Sequence, residues 1–209
     1  MARNRYDNFY GYTGLFPIRP SDGDGSAPAR DLRRDLTELA NGPGSMFSRT
    51  GLVHGARLFV LSDVVFNGHP SPIDHLRDQY LVLSVTFDGD LDPFLRRVHE
   101  RSADEWARVF RHTQGYPDPL DPDGLISHVR ACQVTTSFLY VDAEADLDRT
   151  LLALAAQREL RKMVQAAQGQ ATGRRRILVK ETLERLRALP PAIPGSMMQE
   201  GIAHGTRSQ

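Results

Sequence analysis

The chain of 209 residues contains one cysteine, Cys132, which excludes an internal disulfide and leaves no thiolate cluster for a metal. That scarcity fits a reducing compartment, and a cytoplasmic protein is expected. Neither sign of charge is in excess. With 26 basic and 26 acidic residues the formal charge is zero, so no whole-molecule field points to nucleic acid, a membrane surface or a polyanionic substrate. No apolar run approaches the roughly 20 residues of a membrane span, and the N-terminus lacks the apolar core of a secretory signal. Partners have to be sought at local sites. The chain also lacks a Gly-x-Ser-x-Gly elbow, a P-loop, a dinucleotide fingerprint, His-Glu-x-x-His and Cys-x-x-Cys, which removes the usual serine hydrolases, nucleotide hydrolases, Rossmann dehydrogenases and common zinc sites.

What is present reads as alternating strands and helices. Phe9 to Ile18 is aromatic and suits a strand, with Pro17 and Pro20 marking an edge or an early end. Ala29 to Ala40 places Leu32, Leu36 and Leu39 on one helical face and stops at Asn41-Gly42-Pro43-Gly44. Strands follow at about Leu52–Ser62 and Tyr80–Phe87. Asp88 or Asp90 can then cap a helix of Leu91, Phe94, Leu95, Val98, Trp106, Val109 and Phe110, whose spacing slips near Ser102 and predicts a bend. A short helix at about Pro122–Ala131 leads to a strand expected over Val134–Val141, and Asp146 opens a long helix with an apolar stripe from Leu147 to Val164.

Taken as types, this order is βαββαβ, the ferredoxin-like unit: a four-stranded antiparallel sheet with helices on one face, here with extra C-terminal helices. The bare sheet face must be covered, and two such sheets meeting face to face make a dimeric α/β barrel. A homodimer is therefore expected. The domain is expected over residues 1–166. Residues 167–209 read as a linker, a basic helix from Arg174 to Leu189 and a mobile tail. Arg174-Arg175-Arg176 is too small a cluster to read as a nucleic-acid site and is taken as solvated surface.

Candidate chemistry centres on His54 and Arg57, which stand on one strand, and on Asp88, which ends another. Charged groups in apolar β-runs are costly to bury unless they are paired or used. Three apart on a strand, His54 and Arg57 start on opposite faces unless a bulge intervenes at Gly55. Used in a cavity, the imidazole serves as base or metal ligand and the guanidinium stabilises developing negative charge. Used only in structure, His54 donates to a carbonyl and Arg57 pairs with a carboxylate such as Asp88. His112, near a helix C-terminus, suits closure of the last turn. Asp88, Asp90 and Asp92 lack the later glycine and closing glutamate of a calcium loop, so helix capping explains them better.

Three segments, His54-Gly55-Ala56-Arg57, Phe87-Asp88-Gly89-Asp90 and His112-Thr113-Gln114-Gly115-Tyr116-Pro117, resemble in order the signatures of a little-characterised bacterial peroxidase-like family, often labelled peroxidase or catalase related. The resemblance spans about Leu15 to Val164. It implies a dimeric α/β barrel acting on a small organic substrate. A heme-dependent oxidoreductase is the first activity it implies, with His54 as axial ligand or distal base, His112 as second candidate ligand, Arg57 stabilising an oxyanion and Asp88 orienting one of them. The family's aromatic after the histidine is Gly55 here, and its tryptophan after the arginine is Leu58. Because the scaffold hosts many reactions, two alternatives stand beside the first: a cofactor-free cyclase or oxygenase using His54 as general base, and a non-catalytic ligand-binding or assembly protein.

Overall fold

The computed structural model describes residues 4–21, 27–64, 68, 75–136, 139–141 and 145–189. The loop at 67–72, apart from Gly68, and the tail at 190–209 lie outside them, as does His69. Contacts divide the chain into two compact units, Met1–Asp142 and Ala143–Gln209.

The first unit is built on a four-stranded antiparallel sheet in the order β1-β2-β4-β3, where β1 is Arg5–Tyr6, β2 Phe9–Pro17, β3 Val53–Leu61 and β4 Tyr80–Asp88. Helices α1 (Pro28–Thr37), α2 (Leu91–Phe110) and α3 (Pro122–Ala131) accompany it. Alternation makes the core. Tyr12, Phe16, Leu81, Leu83, Val85 and Phe87 point to the helices and join Leu32, Phe94, Leu95, Trp106, Phe110 and Val129 in one buried cluster. Phe87 stacks on Phe94 with ring centroids 3.8 Å apart, and Trp106 stacks on Phe110 at 3.9 Å. The slip near Ser102 is a kink: this residue alone inside α2 has non-helical dihedrals (φ −152°, ψ 26°). Its hydroxyl donates to the Met46 carbonyl at 3.0 Å, so the break is used to tie down the preceding loop.

This architecture is α+β and compatible with the ferredoxin-like order, with one correction. No strand forms over the described part of 134–141. Gln133 makes an isolated bridge to Gly14, and Val134 N–H donates to Thr13 O at 2.8 Å; among the described residues the pairing goes no further. The edge of β2 is already occupied there: Arg5 and Tyr6 pair with Tyr10 and Phe9, and Gly11 N–H donates to Asn4 O at 2.8 Å. The Asn4 side chain accepts from Thr136 N–H at 2.9 Å and holds the later segment alongside.

The second unit holds α4 (Leu147–Ala167) and α5 (Thr172–Arg187). Asp146 caps α4 by accepting from Arg149 N–H at 2.9 Å. The linker over 167–173 is shorter than expected: Ala167 belongs to α4 and Thr172 and Gly173 to α5, leaving Gln168 to Ala171 between the two helices. The contact division falls before α4, because α4 and α5 share a packed side that includes the ion pair from Arg185 to Glu159 at 3.1 Å.

Candidate functional site: the open face of the sheet

The residues of β2, β4 and β3 that alternate away from the helices lie in rows across the sheet, fixed by the strand register. At one end Pro17, Tyr80 and Leu61 form a row, followed by Leu15, Val82 and Phe59. Leu15 is 37% exposed and Phe59 43%, so this end is apolar and open to its surroundings. Next come Thr13, Ser84 and Arg57, then Gly11, Thr86 and Gly55. Phe9 and Asp88 close the far end.

A bulge in β3 places His54 at that far end. Val53 pairs with Phe87 and Gly55 with Thr86, so His54 is the extra residue. The slip reverses the alternation that would otherwise separate the two side chains. His54 reaches Asp88, its Nε2 standing 2.8 Å from Asp88 Oδ1, and its ring meets Phe9 edge-on with centroids 5.0 Å apart. Arg57 follows on the same face, because Ala56, Leu58 and Val60 between and beyond it pack against the core. The three candidate residues thus share one surface. With the bulge taking up one residue, His54 and Arg57 lie about 7–10 Å apart along the strand; the row between them is Gly11, Thr86 and Gly55, and the Leu139 side chain lies against Gly11.

Asp88 pairs with His54 and not with Arg57, and Arg57 is exposed without an ion pair among the described residues. An ionised carboxylate only accepts hydrogen bonds, so the proton of neutral His54 sits on Nε2 and Nδ1 keeps the basic lone pair. Both side chains are mostly covered, at 19% and 9% exposure. Asp90 is the N-cap residue of α2 and Asp92 stands in its first turn, as expected, but neither side chain makes the cap hydrogen bond. Asp90 has the extended dihedrals of an N-cap, but its side chain goes to Arg5, and Asp92 pairs with Arg130 at 2.7 Å.

His112 stands apart from this surface, in the helix layer. Its Nε2 lies 2.8 Å from Asp35 Oδ2, and Asp35, buried in α1, also receives Arg108 and Arg111 from the end of α2 at 3.3 Å each. Burial alone would raise the Asp35 carboxyl, but hydrogen bonds from His112 and Arg108 outweigh it and hold the group below its ordinary range. Asp35 was not singled out by the sequence, where it reads as one polar residue of an amphipathic helix. His128 is likewise buried, in α3. Thr113 Oγ1 donates to Phe110 O at 2.6 Å and so accepts from His128 Nε2 at 3.1 Å. Desolvation lowers this imidazole's pKa and favours its neutral form.

The donor set does not fit heme as it stands. An iron-bound imidazole ordinarily gives its second ring N–H to a carboxylate or carbonyl. In His54 the carboxylate holds Nε2, which leaves Nδ1, the nitrogen nearer the main chain, with the least room for a porphyrin plane. His112 is held through its own Nε2 by Asp35. Among the described residues no group of three His, Cys, Asp or Glu could hold a metal ion. No helix there is long and apolar enough to cross a membrane.

Comparison of the chain with protein-family models, curated proteins and solved structures finds no match. The peroxidase-like resemblance therefore rests on the motifs themselves.

Proposed function

We propose that the chain is a cofactor-free enzyme of the cyclase or enolising type, whose cavity forms where the open face of one sheet meets its counterpart in a second copy. The carrying observation is the His54–Asp88 pair at 2.8 Å, on the same face as Arg57. Nδ1 of His54 removes an activated proton from the carbon beside a substrate carbonyl. The C–H electrons form the enolate C=C while the carbonyl electrons move to oxygen. Asp88 stabilises the resulting imidazolium, and Arg57 meets the charge on the enolate oxygen. The enolate carbon attacks a second carbonyl carbon of the same substrate as the first carbonyl re-forms; the electrons of the attacked C=O pass to its oxygen, and the imidazolium returns its proton to that alkoxide, which closes a hydroxyl-bearing ring. The apolar rows from Leu15 to Leu61 suit an aryl or polyketide-like skeleton. Dimerisation excludes water and strengthens both electrostatic contacts.

Deuterium incorporation into the methyl group of acetophenone in heavy water, followed by proton NMR, tests the reading without a known substrate. The wild-type chain should exchange about 100-fold faster than His54→Ala, with circular dichroism unchanged, and Arg57→Gln should fall between. Equal rates for the wild type and His54→Ala would remove the catalytic reading and leave a binding or assembly role for the same face.

A further inference from the structure

A cleft of about 380 Å³ opens at the other end of the sheet, where β2 ends, α1 begins and the chain enters β4. β4 runs from Tyr80 beside this cleft to Asp88 beside His54, a distance of about 26 Å at 3.3 Å per residue. The cleft is separate from the catalytic face. Among the described residues its lining carries four arginines, Arg19, Arg30, Arg33 and Arg77, and one carboxylate, Asp78.

Two of these guanidinium groups are held in place by neutral acceptors. Arg19 Nε donates to Thr113 O at 3.2 Å, while Arg33 donates to Ala29 O at 3.2 Å and to Ser62 Oγ at 2.7 Å. These bonds fix direction without cancelling charge. Arg30 lies 3.9 Å from Asp31, but that carboxylate also serves Arg34, at 3.4 Å. Arg77 makes no ion pair among the described residues. The first turn of α1 faces the same space through Ala27 and Ala29, with Pro28 at its start and no side chain among the described residues capping it. The positive end of the helix dipole adds to the same field, although Pro28 has no N–H and those of Arg30 and Asp31 already donate to Ala27 O. Like charges gathered round a concave surface repel one another, and a ligand carrying oxyanions relieves that repulsion. Guanidinium forks bind carboxylate and phosphate oxygens in pairs.

We propose that this cleft binds a small polyanionic ligand through phosphate or carboxylate groups, with Arg19 and Arg33 as fixed contacts and Arg30 and Arg77 as closing ones. The volume suits a small organic anion more than a lone ion.

Isothermal titration calorimetry of the full chain at low salt, with pyrophosphate and separately with succinate, tests this. Saturable binding of pyrophosphate alone assigns phosphate chemistry, and binding of succinate assigns carboxylate chemistry. Either should weaken about tenfold or more in the Arg30→Gln/Arg77→Gln variant. Both side chains are exposed, so the fold should survive. Affinity should hold in His54→Ala and in Arg174→Gln/Arg176→Gln, which removes exposed charge from α5. Absence of saturable heat with both probes, or equal weakening by the α5 variant, would overturn the proposal.

Discussion

An added Cβ at Gly14 would collide with the Tyr12 hydroxyl and stand 2.7 Å from the Phe16 ring. Both rings are fully buried, and the Tyr12 hydroxyl donates to Val129 O at 2.8 Å, so neither yields easily. Gly14→Ala should cost about 1–3 kcal/mol in denaturant unfolding. Gly11→Ala meets the side chain of Leu139, whose nearest atom is at 2.7 Å, and a flexible leucine end can move, so its cost should be smaller. Equal costs would show that the core around Tyr12 is looser than its contacts imply. Residue types at the candidate site were legible in the sequence: His54, Arg57 and Asp88 stood out as charges in apolar runs. Their sharing of a face was not, because it depends on a one-residue register slip that leaves no mark in composition. Gly55 was the only hint, and a glycine in a strand is compatible with a bulge without requiring one.

At the scale of elements, Asp35 joins α1 to the end of α2 through His112, Arg108 and Arg111. Asp35→Asn should destabilise the chain by about 2 kcal/mol, since buried donors lose a charged acceptor while the arginines keep access to water. The pH dependence has a definite sign. A carboxyl lowered in the folded state contributes stability that is fully present above its ordinary value of 3.8 and is lost as pH falls through its lower folded value. Unfolding curves of the wild type and Asp35→Asn should therefore converge in acid; a gap that persists there would assign the loss to packing. The main helices and the three long strands were readable from period and breakers. Over the described part of 134–141 the expected strand does not form, for a non-local reason. Its Val-Thr-Thr run has the right propensity, but the edge it needs is shared with Arg5 and Tyr6, which local sequence cannot reveal.

For the whole molecule, the open face decides the account. Leu15, Val82 and Phe59, with Pro17, Tyr80 and Leu61 beside them, form a contiguous apolar area at the end of the sheet away from His54. In the proposed dimer a second copy offers the same surface, and a two-fold contact would bury both patches at once and enclose the polar rows that carry His54 and Arg57. Sedimentation velocity of the wild-type chain and of Phe59→Lys is the direct measurement. A particle of twice the 23.4 kDa chain mass, reduced to a folded monomer by the lysine, is the predicted result. A wild-type chain that sediments as a monomer across the micromolar range would contradict it, because the cavity in which His54 is proposed to act would then have no second wall.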